Sequence, residues 1–310
     1  MRRLTKPAPI LVAALCVFSH SGTLAQDRGT LSPKPLPPLA RPDDPSTPAK
    51  ELFGRKADAA PLAARAIGFY SRGCVAGATA LPIDGETWQV MRLSRNRNWG
   101  HPALVSFLER FAKKAPEVGW NGLLVGDMAQ PRGGPMLTGH ASHQIGLDAD
   151  IWLTPMPDRT LSRREREEMS ATNVVAENRL DVDPAVWTQA HFAIIRAAAR
   201  ERDVQRIFVN AAIKKAMCRS AGGDRAWLSK VRPMWGHNYH FHIRLACPRG
   251  EDGCSDQDPV PAGDGCDASL DWWFSDAVLN PPKPTKPAKP KPPMTMAQLP
   301  PECRQVLVAK

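Results

Sequence analysis

No stretch of this 310-residue chain approaches the roughly 20 apolar residues of a membrane-spanning helix, which excludes an integral helical membrane protein. No two cysteines are spaced C-x-x-C, so a zinc ribbon is excluded as well. Neither G-x-S-x-G nor S-x-x-K occurs, and Ser142 beside His143 is only a sequence neighbour. Without an activated serine, a β-lactam has nothing to acylate. There is no internal repeat. Histidine is scarce, with 8 residues in all. Also missing is a concentrated basic run interleaved with aromatics on the central part of the chain, the footprint of a nucleic-acid binder.

That last absence needs the charge to be sorted, because the whole chain carries a net +10. Residues 1–25 hold Arg2, Arg3 and Lys6 with no acid. Residues 281–310 hold Lys283, Lys286, Lys289, Lys291, Arg304 and Lys310 against Glu302. The two ends therefore account for +3 and +5, and residues 26–280 retain only +2. The first 25 residues read as a secretory signal: a basic start, an apolar run from Ile10 to Phe18, and Thr23-Leu24-Ala25 as the cleavage site. Cys16 after an apolar run raises a lipoprotein alternative, against which the bulky Leu15 argues.

Proline is sorted the same way. It is about twice the usual ~5% and concentrates in 26–62 and 281–310, which are expected to be extended, polyproline-like segments. One folded domain is expected over 63–280. With Cys16 removed in the leader, Cys74, Cys218, Cys247, Cys254, Cys266 and Cys303 remain, an even set that reads as disulfides in an exported chain, with 15 connectivities open. Cys247 and Cys254 are close enough to pair across a loop, and Cys303 is placed to tie the tail back to the domain.

Pro102 to Lys114 has helical spacing. Asp183-Pro184 reads as a cap and first turn for a long helix over Ala185 to Arg202. Leu123 to Val125 and Ile207 to Val209 read as strands, and the charge run Arg163 to Glu168 as one solvated helical turn. Helices and strands intermix without regular βαβ alternation, so the fold expected is α+β, a small antiparallel sheet flanked by helices.

Five of the histidines fall in two short segments. His101 and His191 stand apart and read as packed or capping residues. From Tyr239 to Leu245 the chain alternates strictly: His240, His242 and Arg244 on one face, Phe241, Ile243 and Leu245 on the other. Imidazoles two residues apart on a strand sit about 7 Å apart along it and point into one space. In the other segment, Asp148 to Leu153 reads as a strand with Asp148 and Asp150 on one side, and His143 precedes Asp150 across a turn at Gly146. Two histidines and a carboxylate make a three-ligand zinc site with an open fourth position. Such an ion acidifies water to a pKa of about 7 and polarises a carbonyl, and amide hydrolysis is the natural chemistry. Asp148 reads as a group behind the ligands.

These segments, with Gly73-Cys74, Gln89 to Arg92, Gly100-His101-Pro102, Gly126-Asp127-Met128, Arg206 to Asn210, Lys230 to Pro233 and Gly263 to Cys266, resemble the penicillin-insensitive murein endopeptidases. That family stands with the lysostaphin-type and D-Ala-D-Ala metallopeptidases. The resemblance covers about 66–280. It implies zinc on His143, Asp150 and His242, and His240 as general base or stabiliser of the oxyanion. It places His237 at the flank of the site, and His140 behind the ligands or at an accessory metal. It implies disulfides Cys74–Cys303, Cys218–Cys266 and Cys247–Cys254. It implies a periplasmic enzyme cutting D-alanyl to meso-diaminopimelyl cross-links of peptidoglycan. A D-Ala-D-Ala carboxypeptidase and an inactive zinc-bound wall-binding module are the rivals. The Lys-Pro tail is then a solvated spacer or a weak tether to anionic wall polymers. The chain departs from some relatives in having no His within 154–183 to complete a second metal site, and in its long proline-rich ends.

Overall fold

A computed structural model describes residues 28–282 and 291–310. The leader expected over 1–25 lies outside the described residues, as does 283–290 of the tail. In chain order the strands are β1 (Arg65–Phe69), β2 (Arg72–Ala76), β3 (Thr79–Ala80), β4 (Asp84–Gly85), β5 (Trp88–Val90), β6 (Trp99–Gly100), β7 (Leu123–Val125), β8 (Asp148–Trp152), β9 (Val204–Val209), β10 (Val231–Pro233) and β11 (His240–Leu245). The helices are α1 (Ala49–Phe53), α2 (Pro102–Ala112), α3 (Arg163–Glu168), α4 (Gln189–Arg200), α5 (Ala211–Ser220), α6 (Ala268–Asp271), α7 (Asp276–Leu279) and α8 (Glu302–Val308). This is a mixed α+β fold.

The main sheet is larger than expected and not purely antiparallel. It has seven strands in the order β10-β9-β11-β8-β7-β5-β4. Its centre, β9-β11-β8-β7, is antiparallel, but β10 runs parallel to β9 and β5 parallel to β7. The reason lies in the connections. A parallel pair needs a crossover, and α2 separates β5 from β7 as α5 separates β9 from β10.

Alternation gives the sheet two unlike faces. Ala149, Ile151, Ile207, Val209, Phe241, Ile243 and Leu245 join Leu104 and Leu108 of α2, Ile194 and Ile195 of α4, and Ile213 and Met217 of α5 in one buried core. The opposite face carries Asp148, Asp150, Phe208, His240, His242 and Arg244, the strand residues of even number. His101 caps α2, its Nδ1 accepting from Ala103 N at 3.1 Å. α4 begins later than the Asp183-Pro184 signal predicts. Val186 N and Trp187 N both bond back to Asp183 O, forming a separate turn, and the chain restarts as helix at Gln189 with His191 Nδ1 bonded to Thr188 N. The charge run at α3 is not a solvated turn either. Arg166 and Glu167 are buried, Arg166 donating to the carbonyls of Leu161, Ile83 and Val90, and Glu167 accepting from Ser94 N and Oγ.

Both proline-rich ends contain packed residues, where composition predicts extended spacers. Ala49 and Phe53 of α1 are fully buried against Leu299, Cys303, Val306 and Leu307 near α8, beside Ile67 and Cys74 of the β1-β2 hairpin. Apolar residues between the prolines make this possible: five consecutive residues without proline suffice for α1. Arg132 reinforces the cluster, its Nη1 donating to the carbonyls of Val306, Leu307 and Ala309 at the end of α8. A disulfide joins Cys74 to Cys303 across 229 residues; others join Cys218 to Cys266 and Cys247 to Cys254. Replacing Cys74 and Cys303 together by Ala is expected to lower the unfolding free energy by roughly 2–5 kcal/mol, because a long loop is released in the unfolded chain. Urea unfolding without reductant checks this, and an unchanged midpoint would refute it.

Candidate metal centre

β8 and β11 build the floor of the site. Their antiparallel register sets His242 opposite Asp150 and Arg244 opposite Asp148. Cross-strand partners lie within reach of one another's side chains, and here His242 Nδ1 stands 3.1 Å from Asp150 Oδ1. Arg244 Nε donates to Asp148 Oδ1 at 2.8 Å. The turn that brings His143 over this floor is tight. Gly146 has φ +72°, and a Cβ there would lie 2.7 Å from His101 N. His143 itself sits at φ +68°, a conformation L-residues seldom adopt. It is held there by Asp148 Oδ2, which accepts from His143 N at 2.9 Å.

Four imidazoles converge on Asp150. His143 Nε2 and His240 Nε2 are each 3.6 Å from Oδ1, and His140 Nε2 is 3.4 Å from Oδ2. One donor atom each of His140, His143 and Asp150 lie within 4.8 Å of one another, enough to hold a metal ion. His242 flanks them, its ring 4.6 Å from that of His143. His237 stands at the rim, 4.7 Å from the His240 ring, with its Nδ1 2.7 Å from Trp235 O. The structure thus brings His140, His143, Asp148, Asp150, His237, His240 and His242 into one place. His101 and His191 stay in packing roles.

Electrostatics fit a cation. Burial holds His143 and His240 down to about 3, so both are neutral and keep a lone pair. Burial also opposes ionisation of Asp150, but His240, His140 and His143 outweigh it and keep the carboxyl well below its usual range. For His242, burial is overcome by Asp148 and Asp150, which push it up to about 9. Positive charge is therefore favoured between the two carboxylates, whether a proton or a metal ion carries it. Both ring nitrogens of His143, both of His240, and Asp150 Oδ1 are buried without a hydrogen-bond partner. Buried polar atoms rarely go unsatisfied, and neutral imidazoles with a carboxylate are the donor set zinc takes.

Sequence reasoning gave no role to Asp127, although the structure places it in the site. It is buried, accepts from Arg95 Nη1 at 3.0 Å and Arg97 Nη1 at 2.9 Å, and faces His140 Nε2 at 3.2 Å. The available signal was its position just past strand β7, beside the strand that bears Asp150. With Arg92, Tyr239, Trp152 and His240, these groups line a cavity of about 170 Å³ over the site. A larger hollow of about 490 Å³ near Arg110 and Pro248 contains no histidine.

The sequence model of a family described as penicillin-insensitive murein endopeptidase matches residues 66–308. The match extends through the second proline-rich segment to α8, further than the roughly 66–280 covered by the motifs. A penicillin-insensitive murein endopeptidase of Haemophilus influenzae is 48% identical over 244 residues, covering 78% of this chain and 82% of that one. One from Escherichia coli O1:K1 is 45% identical over 249 residues, covering 80% and 87%.

Proposed function

The chain belongs to the penicillin-insensitive murein endopeptidase family, and on that premise we propose that it is a periplasmic zinc endopeptidase hydrolysing D-alanyl to meso-diaminopimelyl cross-links in peptidoglycan. The observation that carries the reading is the convergence of buried, unsatisfied donors of His143, on its turn, with Asp150 and His242, which face each other across two paired strands. In this reading His143, Asp150 and His242 hold the metal, and His140 and Asp148 stand behind them or at an accessory ion. When bound, zinc supplies Lewis acidity toward the scissile carbonyl and toward water.

The rest is the work of the chain. Asp148, locked by Arg244, fixes both the His143 backbone and the His242 ring. Asp127 fixes His140 in the same manner. His240 moves a proton at the reacting amide or stabilises its tetrahedral oxyanion, and His237 closes the flank. Arg92, Arg95 and Arg97 outnumber Asp127 and Asp150 on the cavity wall, which suits the free carboxylates of wall peptides. Three disulfides suit an oxidising compartment, and no helix among the described residues is long and apolar enough to cross a membrane.

The test is digestion of purified cross-linked muropeptide dimers by the zinc-loaded protein, read by mass spectrometry. Conversion to monomers in the presence of penicillin is expected. Intact dimers would sink the proposal, and release of free D-alanine from pentapeptide monomers instead would replace it with a carboxypeptidase.

A further inference from the structure

Beside the site lies an aromatic surface that the hydrolytic reading does not use. Trp235 is 59% exposed and Trp272 is 55% exposed, and Met234 next to Trp235 is exposed as well. Trp273 bridges the two indoles, its ring centroid 5.1 Å from Trp235 and 5.3 Å from Trp272. Two exposed tryptophans joined through a half-buried third are a costly arrangement in water, since indoles dominate buried area wherever they find a partner, and clustered apolar exposure marks an interaction surface.

The ridge is held firmly from both sides. Trp272 and Trp273 follow α6, which Asp267 caps by accepting from Ser269 N, and the Cys218–Cys266 disulfide pins the start of this arm to α5. Trp235 lies on a turn fixed by Asn210, whose side chain donates to Gly236 O at 3.0 Å and whose N donates to His237 O at 2.9 Å. The same turn presents His237 to the metal centre. The ridge is therefore continuous with the proposed active site, two residues from one of its histidines.

The occupant follows from the chemistry of the patch. Indole faces bind flat rings with polarised C–H bonds and leave a polar rim in water, which describes a pyranose. Asp267, Asp271 and Asp276 on this arm are exposed, but Lys215 stands over the Phe274 ring and Arg179 donates to Leu279 O, so the patch concentrates charge of neither sign and an uncharged ligand is favoured. In peptidoglycan the sugars adjoining a stem peptide are N-acetylated, and the carboxyl that bears the peptide is consumed in an amide. We propose that Trp235, Trp272 and Trp273 form a platform on which the glycan strand of peptidoglycan docks, aligning its peptide with the metal centre. The proposal rests on the peptidoglycan reading above for the identity of the polymer.

The test uses glycan strands stripped of peptide by an amidase and then methylamidated at the freed lactyl carboxyls, so that the strands stay uncharged and no cross-link is present. Affinity electrophoresis of the exported chain through these strands should retard it, and the strands should quench tryptophan fluorescence. Trp272→Ala should bind about tenfold more weakly, in the range of losing one stacking partner, and Trp272→Phe should keep part of the binding. Circular dichroism controls for folding. Absence of retardation of the unaltered chain would overturn the platform, as would equal retardation of Trp272→Ala. So would a ridge that instead joins two copies, seen as a sedimenting dimer that Trp272→Ala converts to monomer without glycan binding. The two readings fail separately: muropeptide dimers cut without glycan retention refute only the platform, and glycan retention with uncut dimers refutes only the endopeptidase.

Discussion

Asp150→Ala is expected to lose its metal and with it all measurable cleavage of muropeptide dimers. Asp150 is the one anion that His140, His143, His240 and His242 all face, at 3.1 to 3.6 Å. Removing a carboxylate that merely supports a ligand costs about 10–100-fold in metal affinity, so removing one that ligates should cost more than about 100-fold. Competition against a chromophoric chelator measures this directly. The complication is folding, because the residue is buried and its loss leaves buried imidazoles without their counter-charge. Asp150→Asn keeps shape and volume while removing the charge. It should also fail to retain zinc, yet melt in a single transition. Retention of zinc at full affinity by Asp150→Asn would remove Asp150 from the ligand set, whatever the activity.

How much of this site was legible without coordinates depends on what each residue's position rests on. The face shared by His240, His242 and Arg244 was legible because a strand's side chains alternate by local geometry alone. The pairing of His242 with Asp150 was not, because register is set by the whole sheet. The turn at Gly146 was legible as a turn, but His143 at positive φ depends on Asp148 reaching back to its amide. Asp127 stands in the Gly126-Asp127-Met128 motif, but its role in the site was not legible, since its neighbourhood exists only once β7 lies beside β8. Charge misled at α3: Arg166 is a common surface residue that here meets backbone carbonyls from three segments distant in sequence or at the turn edge. Composition misled at the ends, where proline content averages over the few apolar residues of α1 and α8 that pack beside the Cys74–Cys303 bridge. The parallel edge pairs escaped for a related reason: two of the strands involved, β5 and β10, are three residues long and leave no period to read.

His240→Ala should separate chemistry from metal binding. Its Nε2 is as far from Asp150 Oδ1 as that of His143, 3.6 Å in each case, so distance alone does not distinguish a ligand from a proton carrier. Position does. His143 and His242 rings are in edge contact with one another over the floor, whereas His240 lies one strand step further on, pairs across to Trp152, and lines the open cavity with Tyr239 and Arg92. A group facing the cavity meets the substrate, and a positioned acid–base group contributes about 10²–10⁴-fold. The variant is therefore expected to bind about one zinc per chain, with affinity within a few-fold of the unaltered protein, and to cut dimers about 10²–10⁴-fold more slowly. Added imidazole should restore part of the rate, since the truncation leaves a space of its size beside the reacting bond. If zinc and activity fall together, His240 is a ligand and the catalytic role passes to His237. If neither falls, the proton is carried elsewhere, and His237→Ala becomes the decisive variant.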